Sequence, residues 1–381
     1  MSSSKQSSRS NRRRILREVL GLPTAPFAEH NVVDYIKRFC EKKPGVAVQE
    51  DRAGNLLVRV RRGRALSKVT LCITAHMDHP GFVADRMVGP NTLRAFWRGG
   101  VPPEYFVGSK VRFFVDRQGV RGQVRSIRTA LDRGNRRVQS ARIQVSSIIP
   151  KGSVGMWDLP DPVIRGTKIH ARACDDLVGV ASLLACMDAL SNTPTSCDAR
   201  FLFTRAEEVG FVGAIAAAKG KTIPKSCLVI SVETSSRRPN AKPGEGPILR
   251  VGDKTSTFTS SATDFCRQVA DDLAKHDKRF KYQRRLMDGG TCESSAFCQL
   301  GYQATGVCVA LGNYHNVDTK RRRIAPEYID LGDFDRLVTW FIALATTNRR
   351  YSSRNETFDI VLKNLERQHA QLLRASKNQP C

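Results

Sequence analysis

Residues 68–79 read KVTLCITAHMDH: a continuous apolar run from Lys68 to Ala75 that passes directly into His76, Met77 and Asp78. A run that is apolar without alternation suits a strand buried on both faces of a sheet. Open α/β sheets bind ligands beyond the carboxyl ends of their strands, so ligand-type side chains placed there are delivered to one edge. Three other runs repeat the layout. ARFLFTRA (199–206) leads into Glu207 and Glu208, CLVISV (227–232) into Glu233, and GVCVAL (306–311) is followed shortly by His315. Asp175 and Asp176 stand just before the apolar helical stretch LVGVASLLACMDAL (177–190).

Around these runs, strand-like and helical segments alternate. GNLLVRVRR (54–62) has the period of a strand, and residues 31–41 carry Val32, Val33, Tyr35, Ile36 and Phe39 at helical spacing. VGFVGAIAAAKG (209–220), ATDFCRQVADDLAKH (262–276) and FDRLVTWFIALATT (334–347) read as helices. This alternation predicts an α/β fold with a largely parallel, mixed sheet covered by helices on both faces. Residues 86–165 differ. KVRFFVDRQGVRGQVRSI (110–127) reads as two strands joined at Asp116–Gly119, and ARIQVSSII (141–149) alternates again. The expectation is a small, β-barrel-like domain inserted at 86–165 into a catalytic domain formed by 14–85 and 166–350. Residues 1–13 are expected as a disordered basic tail and 351–381 as a charged helix with a frayed end.

Composition narrows the class. Of 381 residues, 41% are apolar, enough for a globular core. No apolar run reaches the roughly 18 residues of a membrane-spanning helix, and the Ser- and Arg-rich start lacks the apolar stretch of a secretory signal. The 11 cysteines form no CxxC pair, and Cys72, Cys227, Cys298 and Cys308 sit in apolar surroundings. They read as small core residues of a protein in a reducing compartment, which points to the cytoplasm. The net charge of +26 draws anions, but it is spread along the chain with no zinc finger or aromatic RNA-binding signature. A generally basic surface is therefore favoured over a nucleic-acid partner.

Taken singly, each ligand-type residue has an ordinary explanation. A His is often a satisfied core residue, an Asp pair before a helix is often a cap, and a Glu pair is often a solvated helix start. The coincidence is what matters: two imidazoles and several carboxylates at the ends of independent strands. Imidazole nitrogen and carboxylate oxygen are zinc ligands, and so many acids at close range need cations to offset their repulsion. Five ligand candidates with a bridging carboxylate fit two metals better than one.

The motifs AHMDHPGF, ACDDLVGVA, AEEVGFVGA and GNYHNV resemble those of the tetrahedral-assembly (TET-type) deblocking and glutamyl aminopeptidases, within the wider group of co-catalytic di-zinc exopeptidases. The resemblance runs from about Arg14 to Leu344. It implies His76, Asp175, Glu208, Glu233 and His315 as metal ligands, with Asp175 bridging. It implies Asp78 as the acid orienting His76, and Glu207 as general base. It further implies two divalent ions per subunit, zinc first, with cobalt and manganese sharing such ligands. Short peptides as substrates and a homo-oligomer from dimer to dodecamer also follow from it. The sequence departs from the family in three places. Glu233 stands where Asp is usual, GGTCESSAF (289–297) where a GGTDA-like segment is usual, and His79 where an acid is common. Two other functions stay open at this point. One is a metal-dependent deacylase or amidohydrolase on the same scaffold, and the other is a non-enzymatic binding protein using its basic surface.

Overall fold

The computed structural model describes residues 2–41, 43–63, 70–115, 119–132, 134–352 and 356–377. An eight-stranded mixed sheet forms its centre. The spatial order is Val46–Glu50, Leu56–Arg62, Cys197–Thr204, Leu71–His76, Leu228–Ser236, Gln303–Leu311, Ile248–Asp253 and Gln283–Met287. The middle four strands run parallel to one another, while antiparallel pairings join Leu56–Arg62 to one side and Ile248–Asp253 to the other. The α/β architecture with a mixed, helix-flanked sheet is thus the expected one.

All six residues of Leu71–His76 are buried, and the reason is visible on both faces. Leu71, Ile73 and Ala75 join the large core beneath the helices Leu177–Ser191 and Leu331–Thr346. Cys72 joins a second core with Ala214 and Ala217 of the helix Val212–Lys219 and Phe297 of the helix Glu293–Gln299. Neither face meets water, so neither selects polar side chains. Leu177–Ser191 is itself buried nearly all round, because it lies between the sheet and the helices Ser2–Leu20 and Leu331–Thr346. From Leu71–His76 the chain goes on to Cys197–Thr204 on one side, then crosses to Leu228–Ser236 on the other. That reversal opens a crevice at the carboxyl ends of the strands.

The inserted domain is a closed antiparallel barrel of six strands: Gly81–Gly89, Thr92–Arg98, Lys110–Phe114, Val120–Asp132, Asn135–Val145 and Val154–Trp157. Its interior is aromatic. Phe82 and Trp97 lie 4.6 Å apart between ring centres, and Trp97 and Phe106 lie 4.8 Å apart. The barrel begins and ends earlier than 86 and 165. Val163–Arg165 pairs instead with Lys168–Ala171, which pairs with Glu327–Asp330, forming a small sheet beside the crevice. The expected hairpin at Asp116–Gly119 lies largely outside the described residues, although the strands on either side pair as read.

Where a tail was expected over residues 1–13, the helix Ser2–Leu20 is found. Ile15, Leu16, Val19 and Leu20 are buried under it. Its polar end is tied down by Asn11 donating to Asp188 (2.6 Å), and by Arg12 donating to the Asp335 carbonyl (3.1 Å) and Thr339 Oγ1 (3.0 Å). The helix Glu356–Ser376 occupies the C-terminal region. All cysteines among the described residues are free thiols, buried except for the half-buried Cys298. No helix among the described residues is long and apolar enough to cross a membrane.

Candidate active site

His76 is the last residue of its strand, and Asp78, fully buried, follows two residues later. Glu207 and Glu208 follow Cys197–Thr204 through Ala206, whose φ of 51° turns the chain. Asp175 and Asp176 link the small sheet to Leu177–Ser191 through a cis peptide bond. Asp176 caps that helix, accepting from Gly179 N at 3.1 Å. His315 lies in the turn Tyr314–Asn316 with a left-handed φ of 52°. One position differs from expectation. Glu233 lies inside the strand Leu228–Ser236, not beyond its end. Leu71–His76 pairs with that strand only as far as Thr74 opposite Ser231, so the two strands part before Glu233 and the crevice begins there.

The structure brings all seven sequence-marked residues together. His76 Nε2 is 3.7 Å from Asp175 Oδ1, 3.8 Å from Glu233 Oε2 and 3.9 Å from Glu207 Oε2. His315 Nε2 is 3.7 Å from Asp175 Oδ2 and 3.1 Å from Glu208 Oε1. Asp175 therefore turns one oxygen to each imidazole. Two groups of donor atoms, each within 4.8 Å of one another, share it: His76, Asp175 and Glu233, and Asp175, Glu208 and His315.

The electrostatics are those of a cation site. Burial, reinforced by Glu208, raises the Asp175 carboxyl well above the usual range, and burial likewise raises Asp176 and Glu207. Burial also opposes charge on Glu208, but His315 outweighs it and holds that carboxyl below its ordinary value. Burial disfavours a charged His315, yet Glu208, Asp175 and the Gly100 carbonyl push the ring up to about 9. His76 is raised well above its ordinary value despite its burial, chiefly by Asp78, Glu207 and Glu233. Glu208 Oε1, Glu233 Oε1 and His315 Nε2 are buried with no hydrogen bond assigned to them, Glu208 and His315 meeting as an ion pair at 3.1 Å. Buried nitrogen and oxygen donors around a shared carboxylate fit divalent metal ions. Chelated cations would also relieve the crowding of acids.

A second layer of contacts fixes these donors. Asp78 accepts from the amides of Glu207 (3.0 Å) and Glu208 (3.1 Å), so it holds the Glu pair more closely than it holds His76. The His76 ring Nδ1 is 3.1 Å from the Asp78 backbone carbonyl and 3.6 Å from its carboxylate. His79, noted from sequence only as a departure, approaches the Asp175 carbonyl at 2.6 Å and Asn316 Oδ1 at 3.1 Å. Three further buried acids were not among the site residues marked from sequence. Glu327 accepts from His315 N (2.8 Å), Cys174 N (2.6 Å) and Asp175 N (3.1 Å). Glu29 accepts from Ala206 N (3.0 Å) and pairs with Arg205 (2.9 Å). Glu293, within the divergent GGTCESSAF segment, accepts from Thr74 Oγ1 at 3.0 Å, beneath the strand that carries His76.

Solved structures of the same architecture are known. An aminopeptidase from the archaeon Desulfurococcus kamchatkensis superposes with a TM-score of 0.71 and 21% identity, covering 89% of this chain and 95% of that one. The Pyrococcus horikoshii TET1 peptidase, which can assemble into a tetrahedron or a large octahedral shell, gives 0.70 and 19% over 88% and 99%. An endoglucanase from Thermotoga maritima gives 0.64 and 20% over 87% and 96%. At these identities the likeness is one of fold. The sequence carries the match further: residues 54–321, well over half the chain, match the M42 glutamyl aminopeptidases. This chain belongs to the M42 glutamyl aminopeptidase family and is, with it, a peptidase.

Proposed function

We propose that the protein is a di-metal aminopeptidase that removes N-terminal residues from short peptides. The observation that carries the reading is Asp175, whose two oxygens each lie 3.7 Å from a different imidazole. His76, Asp175 and Glu233 would hold one ion, and Asp175, Glu208 and His315 the other. Zinc suits these nitrogen and oxygen donors, and cobalt or manganese would share them. When bound, such ions polarise a carbonyl and acidify a water molecule.

The chain's own contribution is proton transfer and positioning. Glu207 takes a proton from the attacking water as its oxygen bonds to the scissile carbonyl carbon. The same carboxyl then passes that proton to the departing nitrogen as the C–N bond breaks. Asp78 accepts from the Glu207 amide and so fixes the backbone that carries the base. Glu233 reaches His76 from within its strand, and its extra methylene relative to Asp suits that recessed position. We place the protein in the cytoplasm as a homo-oligomer, between dimer and dodecamer, with peptides rather than nucleic acid as its partners.

Glu207→Gln tests the base. Substitution of a general base costs about 100-fold or more in kcat. The expected result is that loss on an aminoacyl anilide with metal content unchanged by elemental analysis. Full activity with metal in place refutes the assignment.

A further inference from the structure

A cavity of about 1590 Å³ lies between the helix Ser2–Leu20 and the start of Leu331–Thr346, and it shares no lining residue with the catalytic crevice. One wall is the arginine face of Ser2–Leu20. Arg9, Arg13 and Arg17 recur every four residues, with Arg12 and Arg14 beside them. Arg279 and Arg336 add two guanidinium groups from the opposite side. The acids lining the cavity are Glu18, Asp161, Asp277 and Asp335, so seven arginines face four carboxylates.

Each of those carboxylates already takes at least one arginine. Asp335 meets Arg9 at 2.6 Å and Arg13 at 3.7 Å. Glu18 takes Arg14 at 2.7 Å and the Tyr35 hydroxyl at 2.6 Å. Asp161 is held at 2.7 Å by Arg172, and Asp277 at 3.1 Å by Arg279. Among the described residues no carboxylate lies within ion-pair distance of Arg17. The lining thus carries more guanidinium groups than carboxylates, and guanidinium forks match phosphate oxygens in pairs.

The spacing narrows the ligand. Residues four apart on a helix are separated by about 6 Å along its axis, so Arg9, Arg13 and Arg17 span roughly 12 Å. One phosphate does not reach along such a row, whereas several linked phosphates do. Ile164, Leu273 and Phe280 add an apolar element to the lining. We propose that this cavity binds an anion carrying several linked phosphates. Inorganic polyphosphate and a nucleoside triphosphate share that chemistry, and the apolar lining would favour the second.

The test is calorimetric titration of the full chain at 0.15 M salt with inorganic phosphate, tripolyphosphate and adenosine triphosphate. Tripolyphosphate is expected to bind at least tenfold more tightly than phosphate. Arg13→Glu with Arg17→Glu is expected to weaken it at least tenfold, and Arg13→Gln with Arg17→Gln serves if the first pair fails to fold. Arg125→Glu with Arg128→Glu changes the charge equally on the barrel and should leave binding intact. Tighter binding of the nucleotide than of tripolyphosphate identifies a nucleotide site, and equal binding identifies the inorganic chain. The proposal is overturned if both double variants lose affinity alike, which is general attraction to a basic protein, or if tripolyphosphate binds no better than phosphate.

Discussion

Glu327 accepts three backbone amides, from Cys174, Asp175 and His315, and so ties two donor-bearing segments together. Removing it frees both at once. Loss of a group that orients a metal ligand typically costs about 10–100-fold in metal affinity or activity. Glu327→Ala is expected to fall in that range, read as metal retained after dialysis and as kcat/KM. Unchanged values in both would show that the turn holds without it. Glu293 makes a different prediction. Burial, opposed by Thr204, His76 and Thr74, pushes its carboxyl up to about 7 from an ordinary 4.5. A carboxyl raised in the folded state keeps its proton there after the unfolded chain has lost it. Stability from this group is complete below about pH 4.5 and is lost as pH rises to about 7, by up to about 3 kcal/mol. Glu293→Gln removes that slope. Its melting temperature relative to the parent should therefore climb between pH 5 and pH 8, and a constant difference would contradict the assignment.

At the scale of elements, the strand Leu71–His76 carries both stability and the site. Ile73 is fully buried in the main core, and truncating such a side chain to alanine costs about 2–5 kcal/mol. Ile73→Ala is expected to lower the unfolding free energy measured by urea denaturation by that amount; a loss below about 1 kcal/mol would mean the neighbouring helices close over the gap. Helices and strands with strong periodicity were legible from sequence. Glu233 was not placed correctly, because strand length is set by partners: Gln303–Leu311 pairs with Leu228–Ser236 through to Ser236, on the side away from His76. The boundaries of the barrel were misjudged for a related reason. Gly81 and Trp157 belong to it through pairings that close a cylinder, and local alternation does not report closure.

For the molecule as a whole, charge and assembly are linked. The net charge is +26, and residues 86–165 contribute 15 basic against 5 acidic side chains. Like-charged copies repel at low ionic strength, and salt screens that repulsion within a Debye length of about 8 Å at 0.15 M. Light scattering is expected to report a homo-oligomer whose mass shifts upward between 0.05 and 0.5 M salt. A monomer across that range would remove oligomerisation from the proposal. The helix Ser2–Leu20 reads as a basic tail because five arginines dominate it, yet Asp188, Asp335 and Thr339 on two distant helices receive its polar side chains.

The α/β class and the placing of donor side chains near the ends of separate apolar runs were readable along the chain. Each of these is written locally, as apolar runs broken by donor side chains, and backbone periodicity converts such patterns directly into strands, helices and their ends. Tertiary structure alone decided which oxygen of Asp175 turns to which imidazole, and that Glu327, Glu29 and Glu293 stand behind the donors. It also decided that the first helix closes an arginine-lined cavity. Those are relations between residues far apart in the chain, and only the packing of one element against another brings them within reach of a hydrogen bond.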